Sequence, residues 1–432
     1  MAVTSCSTCR HLIRRRLGTL FLLLQLPMML LAASVTNGAA TKNPCPEGSF
    51  PCGGQQRQCV RREFICDGRH DCADASDEKG CGDMNLKKFI EDYFQKRPDE
   101  DREKKSGKCD WVHPGCRCSE GQAFFCENTG LRSLPPTVPR NTTNLDISGN
   151  LFSVLQKRDF PLMPELTVLV MSSSGVISLG EDVFGNLPKL KKVYLRGNGI
   201  RAIEADTFVS SKNLQILHLS HNPIESISPE AFRGLTALQT LDLKSCSLTE
   251  VHEGLLKHTT NITQLWLDEN EIEVLLPGAF SLHTRLQVLS LPKNKIARLA
   301  ANYFAGLTSL QTLYLRGNGI RAIEADTFVS SKNLQILHLS HNPIESISPE
   351  AFRGLTALQT LDLKSCSLTE VHEGLLKHTT NITQLWLDEN EIEVLLPGAF
   401  SLHTRLQVLS LPKNKIARLA ANYFAGLTSL QT

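Results

Sequence analysis

Strand-like apolar pairs begin at Leu145, Leu169, Val193, Leu217, Leu241, Leu265, Leu289, Leu313, Leu337, Leu361, Leu385 and Leu409, always 24 residues apart. A fixed period sustained over twelve units constrains the fold more than any other feature of this chain. One unit of that length cannot bury its own apolar face, so neighbouring units must stack into a solenoid with a continuous core. In the fourth unit the inward set is Leu217, Leu219, Ile224, Ile227, Phe232, Leu235 and Leu238. Asn222 turns the chain out of the strand, and its amide can bond buried backbone groups of adjacent turns. Phenylalanine recurs at Phe160, Phe184, Phe208, Phe232, Phe280 and Phe304, with Leu256 as the exception, a pattern of core packing.

Residues 194–312 and 314–432 are identical, a shift of 120 residues or five periods. A whole number of turns lets the second copy continue the same solenoid in register. The repeat fixes only about eight of its positions, yet the outward residues match as well. Identity there records copying, a recent duplication or a misassembled sequence, and not a demand of the fold. The last unit has no cysteine-rich cap, and the expectation is that the chain is a fragment.

The formal net charge of +2 offers no basic excess for a nucleic-acid partner. Arg14, Arg15 and Arg16 precede an apolar run from Leu17 to Ala33 and then small residues, the order of a secretory signal over residues 1–40. Cleavage between Ser34 and Thr41 is expected, in preference to an uncleaved anchor. No other stretch is apolar enough to span a bilayer, so the chain as given reads as secreted. Ten cysteines crowd between Cys45 and Cys126. After a signal peptide they read as disulfides.

The first cysteine group, residues 45–81, holds Cys45, Cys52, Cys59, Cys66, Cys72 and Cys81 in a segment too small to fold on hydrophobic burial alone. Within FICDGRHDCADASDE, Asp67, Asp71, Asp77 and Glu78 bring four carboxylates to one loop, the hard oxygen donors that Ca²⁺ requires. The cysteine order and the CDGxxDCxDxSDE pattern resemble a low-density-lipoprotein-receptor class A module. That resemblance implies Ca²⁺ held by those four side chains and by the carbonyls of Phe64 and Arg69. It also implies bridges Cys45 to Cys59, Cys52 to Cys72 and Cys66 to Cys81.

In the linker, residues 82–108, Leu86, Phe89, Ile90, Tyr93 and Phe94 form one apolar stripe on an expected helix that Pro98 ends. The stripe has to dock, either on a neighbouring domain of the same chain or on a partner. Residues 109–141 carry Cys109, Cys116, Cys118 and Cys126, where secretion favours disulfides over a zinc site with His113. Their spacing resembles the N-terminal cap of extracellular leucine-rich repeat proteins, which implies Cys109 to Cys118 and Cys116 to Cys126. Residues 142–432 are then twelve repeats, and the expected fold is a small disulfide-rich Ca-binding module followed by a curved leucine-rich repeat solenoid. Its concave face is parallel β and its convex side irregular or helical.

Function in such a fold belongs to the variable positions flanking the inward leucines on the concave sheet. These are Tyr194 and Arg196, His218 and His221, Asp242 and Lys244, then Trp266, Asp268 and Glu269, with the last triple returning as Trp386, Asp388 and Glu389. An indole beside two carboxylates on a solvent-facing sheet fits a basic, apolar ligand, against the plainer reading of a mixed-charge surface. Asn141, Asn261 and Asn381 each begin an N-x-T acceptor for sugar. No G-x-S-x-G, H-E-x-x-H or phosphate loop occurs, so a binding protein is expected and not an enzyme.

The order of modules, one class A module, a linker opening with GDMN and containing FxxxYF, and a capped solenoid, resembles the ectodomain of relaxin family peptide receptors, especially invertebrate members. The resemblance implies capture of an insulin/relaxin-like peptide hormone by acidic and aromatic concave residues. It further implies a class A module acting as tethered activator of a seven-helix G-protein-coupled domain at the plasma membrane. The departures are the absence of seven apolar spans in the sequence and a module loop, PEGSFP, with Phe50 as its one large apolar contact. The alternative is a secreted leucine-rich adhesion, matrix or decoy binding protein.

Overall fold

The computed structural model describes residues 49–51, 59–61, 107–108, 111–119, 122–251, 253–371, 373–419 and 422–431. It divides into two compact units, residues 1–89 and 90–432. In the first, strands Ser49–Pro51 and Cys59–Arg61 pair antiparallel. The signal segment and the linker stripe lie outside the described residues.

In the second unit one fifteen-stranded sheet runs the length of the solenoid. It begins with Gly107–Lys108, Arg117–Ser119 and Ala123–Phe125, which pair antiparallel in turn. From Ala123–Phe125 onward every pairing is parallel, through twelve three-residue strands centred on the positions of the sequence period, from Leu145 to Leu409. At the junction of the two copies Leu289 faces Leu313 and Ser290 faces Tyr314, the register used everywhere else. The opposite side holds two-residue parallel strands, paired as Val154–Leu155 with Ser178–Leu179 and Glu250–Val251 with Val274–Leu275, and joined three together as Arg298–Leu299, Ala322–Ile323 and Ser346–Ile347. Its four-residue α-helices are Glu253–Leu256 and Glu373–Leu376.

The core follows from the period. In the fourth unit Leu217, Leu219, Ile224, Phe232, Leu235 and Leu238 are buried, and Ile227 packs against them partly exposed. The phenylalanines form a spine, with ring centroids 5.8 Å apart for Phe160 and Phe184, 6.1 Å for Phe184 and Phe208, and 6.2 Å for Phe208 and Phe232. Leu256 ends the helix Glu253–Leu256 and interrupts that spine, and its carbonyl lies 3.2 Å from Nε2 of His283, a buried imidazole at the position held by Leu187, Leu235 and Leu307 in other units.

Buried polar backbone is satisfied by the asparagines. Asn222 Nδ2 donates to the carbonyls of Leu195 at 3.0 Å and Leu219 at 2.7 Å, while its Oδ1 accepts from Ile200 N–H at 3.1 Å. Cys246 and Cys366 take the same place as free, buried thiols. Cys246 Sγ lies 3.2 Å from the Leu219 carbonyl, and burial pushes this thiol up to about 12. Such a cysteine is a structural donor and an inert nucleophile.

Two outcomes are expected. Asn222→Leu leaves the Ile200 N–H buried without its acceptor and takes one of two donors from the carbonyls of Leu195, which keeps Asn198 Nδ2, and Leu219, which keeps Cys246 Sγ, and should cost about 2 kcal/mol in chemical denaturation. Burial holds the His283 and His403 imidazoles below their usual 6.5, only partly offset by backbone hydrogen bonds. The fold therefore favours neutral histidine. That stability is complete above the unfolded value and is lost as pH falls from about 6.5 through the lower folded value. His283→Leu should flatten the decline of melting temperature across that window, and an unchanged slope would dismiss the assignment.

Candidate ligand-binding face

The parallel register lines up the outward side chains in rows. One row reads Tyr194, His218, Asp242, Trp266, Ser290, Tyr314, His338, Asp362, Trp386 and Ser410, one residue per strand. Two residues on, a second row carries Arg196, Lys244, Asp268, Arg316, Lys364 and Asp388. Strands sit about 4.8 Å apart, less than the width of an indole. A large side chain on a concave sheet therefore lies over its neighbours and is covered by them.

That crowding corrects the expected exposure of the first triple. Trp266 and Asp268 are each 1% exposed, whereas Trp386 and Asp388 are partly exposed. Asp268 Oδ1 accepts from Ser290 Oγ at 2.8 Å, and its Oδ2 is buried with no hydrogen-bond partner. Burial pushes this carboxyl up to about 7, against the Ser290 bond and the Lys244 charge and reinforced by Asp242. Asp242 is likewise pushed up to about 6 by burial, opposed by bonds from the Lys244 N–H and Ser220. Glu269 is the accessible acid of the group, with its side chain 35% exposed. It meets Lys293 Nζ at 2.9 Å and accepts from Ser245 Oγ at 3.0 Å. Burial raises its carboxyl, but Lys293, Lys244 and Ser245 outweigh that and hold it below the usual range. Glu389 repeats these contacts with Lys413 at 2.7 Å and Ser365 at 2.9 Å.

Sequence reasoning missed a feature of the rim. Where the chain leaves each strand, one residue per turn adopts a left-handed backbone: Gly197 at φ 70°, His221 at 56°, Ser245 at 52°, Glu269 at 54° and Lys293 at 54°. Glycine does this freely, whereas a branched or long side chain pays a conformational cost. Gly149, Gly197 and Gly317 recur at multiples of the 24-residue period and were the available signal.

In the cap, Cys116 and Cys126 form the expected disulfide, and Cys118 is disulfide-bonded while its expected partner Cys109 lies outside the described residues. Trp111 stands edge-on to Phe124 at 5.8 Å. The calcium set Phe64, Asp67, Arg69, Asp71, Asp77 and Glu78 also lies outside the described residues, as do Cys45, Cys52, Cys66, Cys72 and Cys81. Cys59 opens the strand Cys59–Arg61. Of the sugar acceptors, Asn141 is exposed, and Asn261 and Asn381 are half-buried with Nδ2 donating to the carbonyls of Thr236 at 2.7 Å and Thr356 at 2.6 Å. Among the described residues no helix is long and apolar enough to cross a membrane.

Comparison with known proteins agrees with both parts of the chain. Residues 43–81 match the low-density lipoprotein receptor class A domain, and overlapping segments from 140–200 to 357–416 match the leucine rich repeat. Mouse relaxin receptor 1 is 31% identical over 141 residues, which cover 31% of this chain and 18% of that receptor. Human relaxin receptor 2 is 30% identical over 203 residues, covering 43% of this chain and 22% of that receptor. The chain thus matches about a fifth of the length of these relatives. Human epiphycan is 30% identical over 88 residues, 20% of this chain and 27% of epiphycan. In fold, the chain is similar to a solved chain of the octameric complex of Latrophilin 3, Unc5D and FLRT2, at TM-score 0.61 and 23% identity over 71% of this chain and 98% of that one. It is also similar to a chain of the Drosophila Toll–Spatzle complex, at TM-score 0.56 and 23% identity over 67% of this chain and 44% of that one. With a capped solenoid of one fixed period behind a class A module, the chain belongs to the leucine-rich repeat family and is similar to the relaxin receptors.

Proposed function

We propose that this chain is an extracellular binding region that captures an insulin/relaxin-like peptide on its concave sheet. The observation that carries the reading is the conjunction of a class A module with a leucine-rich solenoid in a chain similar to relaxin receptors 1 and 2. Carboxylates and indoles supported on that sheet add a chemical reason. Glu269 and Glu389 offer accessible charge to Arg or Lys of a ligand, and the partly exposed Trp386 offers apolar surface beside Glu389, whereas Trp266 is buried under its neighbours. Asp268 and Asp388 stand behind the glutamates as partly or fully dehydrated carboxylates, where a cation entering the site would be held more strongly than at a solvated rim. In a longer receptor of this kind the partner of the binding region is a seven-helix membrane domain. Similarity to epiphycan favours, as the second reading, a secreted matrix-type binding protein.

Binding of human relaxin, used as probe, is expected to weaken more than tenfold when Asp268, Glu269, Asp388 and Glu389 are all changed to alanine, since desolvated anchors are worth about 2 kcal/mol or more. Either pair alone should have a smaller effect. The two triples lie five strands apart, about 24 Å, further than one compact peptide can centre on. Circular dichroism controls for folding, because Asp268 is buried. Unchanged affinity in the quadruple variant would move binding away from this face.

The class A module is proposed to hold Ca²⁺ through Asp67, Asp71, Asp77 and Glu78 with the carbonyls of Phe64 and Arg69. Six oxygens, four of them anionic, fit that ion, and without it the four charges repel one another. Excess EDTA should collapse the proton NMR dispersion of residues 45–81 while the solenoid melts as before. Sugars at Asn141, Asn261 and Asn381 are proposed on the same footing, away from the concave rows.

A further inference from the structure

The segment that leads into each concave strand forms one flank of the solenoid, and charge is unevenly spread along it. Residues 161–168, 185–192 and 209–216 are three successive flank segments, in which the bases are Lys189, Lys191, Lys192 and Lys212 and the one acid is Glu165. The backbone ladder holds these segments in line. Lys191 N–H donates to the Thr167 carbonyl at 2.9 Å, and the Lys191 carbonyl accepts from Gln215 N–H at 2.8 Å. Asn213 Nδ2 donates to the Pro188 carbonyl at 2.8 Å, which sets Lys212 beside the turn that carries Lys189. Lys192 opens the strand Lys192–Tyr194, and Arg196 continues the run across the concave sheet. Lys189, Lys191, Arg196 and Lys212 are exposed, and Lys192 is half-buried. Lys189 Nζ meets both oxygens of Glu165 at 2.8 Å in a half-exposed pair. Among the described residues no carboxylate pairs with Lys191, Lys192 or Lys212.

Adjacent turns are about 4.8 Å apart, within the screening length at physiological salt. Cations crowded over two such turns therefore repel one another. The fold does not ask for them. At the junction of the two copies the places of Lys189, Lys191 and Lys192 are held by Ser309, Gln311 and Thr312. The backbone there is the same: Thr312 faces Ile336 as Lys192 faces Ile216, and the Gln311 carbonyl accepts from Gln335 N–H at 2.8 Å. In the second copy Arg285 and Lys332 stand two turns apart on this flank, with no cluster between them. The sugar acceptors Asn141 and Asn261 hold the same place in their turns as Lys189, two turns before it and three after. Glycans there, as proposed above, would border the basic strip and leave it open.

We propose that Lys189, Lys191, Lys192, Arg196 and Lys212 form a docking strip for a sulfated polysaccharide. A linear polyanion supplies closely spaced sulfates that lysines, as compact hydrated charges, meet one by one, and its binding releases condensed counterions. The half-exposed pair with Glu165 is weak enough for a sulfate to displace. The three flank segments carry no aromatic side chain on which bases could stack, which disfavours a single-stranded nucleic acid. Anionic lipid is concentrated in the cytoplasmic leaflet, out of reach of an extracellular strip. Of the proposed function, this inference uses the extracellular placement and not the peptide.

The test titrates the whole chain, secreted from cultured animal cells, with a heparin oligosaccharide as probe at about 0.15 M salt. The variant Lys189→Ser/Lys191→Gln/Lys192→Thr takes the residues that the same backbone already holds at 309, 311 and 312, so it should fold as the parent does. It should bind the probe about tenfold or more weakly, and the slope of log affinity against log salt should fall by about three, near one for each lysine. The converse variant, Ser309→Lys/Gln311→Lys/Thr312→Lys, should gain a second site. Unchanged heparin affinity in the first variant would overturn the strip. A DNA oligonucleotide or a phosphatidylserine vesicle bound as tightly as heparin through the same lysines would overturn the class of partner. A chain that binds heparin through these lysines but does not bind human relaxin would keep the strip and dismiss the peptide reading alone.

Discussion

Every turn of this solenoid must bury the point where its backbone leaves the strand, and the hydrogen bonds made there govern the rest of the structure. An asparagine at that point spends two donors on carbonyls of its own and the preceding turn and one acceptor on a backbone N–H, as Asn222 and Asn294 do. A side chain able to satisfy three backbone groups at once is rare among the twenty, which is why the position recurs so regularly. Ser174 and the thiols of Cys246 and Cys366 offer one donor each, and in those turns the neighbouring asparagine makes up the difference: Asn270 Oδ1 accepts from both Cys246 N–H and Leu248 N–H. The constraint acts between turns, so a change at one turn is felt by the next. That is the nearest-neighbour coupling of a repeat array.

Once the backbone ladder fixes the register, the outward rows have no freedom to separate. Strands stay at one spacing, and concave curvature brings the tips of their side chains closer than their Cα atoms. Charged residues on such a surface are buried by their neighbours and not by a core, which is how Asp242 and Asp268 lose water while remaining on the face that a ligand would approach. Dehydration of this kind favours the neutral acid unless a cation arrives. A concave leucine-rich face thereby converts a surface carboxylate into a group that responds to charge in its ligand and to protons in its medium. Glu269 and Glu389, at the rim, escape this and stay ionised through Lys293 and Lys413.

Much of the fold was legible because a 24-residue period is a one-dimensional code for stacking, and the leucines, phenylalanines and asparagines that carry it are almost all found buried. The cap bridge Cys116 to Cys126 was legible from spacing set beside a family resemblance. The state of the candidate site was less so. Sequence shows that Trp266 and Asp268 leave the strand on the solvent side, but not that the next strands cover them, since that depends on curvature and on what Asp242, Ser290 and Tyr314 contribute.

The left-handed rim adds a last consideration about where selection acts. Glycine would serve at every such position, and the chain uses it at Gly149, Gly197 and Gly317. At Glu269 and Glu389 it places instead a charged residue in a conformation that costs about 1 kcal/mol relative to glycine. The ion pairs with Lys293 and Lys413 are partly solvated and return little of that. The same reasoning does not reach Ser245, whose short side chain tolerates the turn and whose hydroxyl is already committed to Glu269. His221 and Lys293 share that conformation, so the strain belongs to the rim as a row, and what distinguishes the glutamates from the buried aspartates behind them is that they keep their charge at an accessible edge.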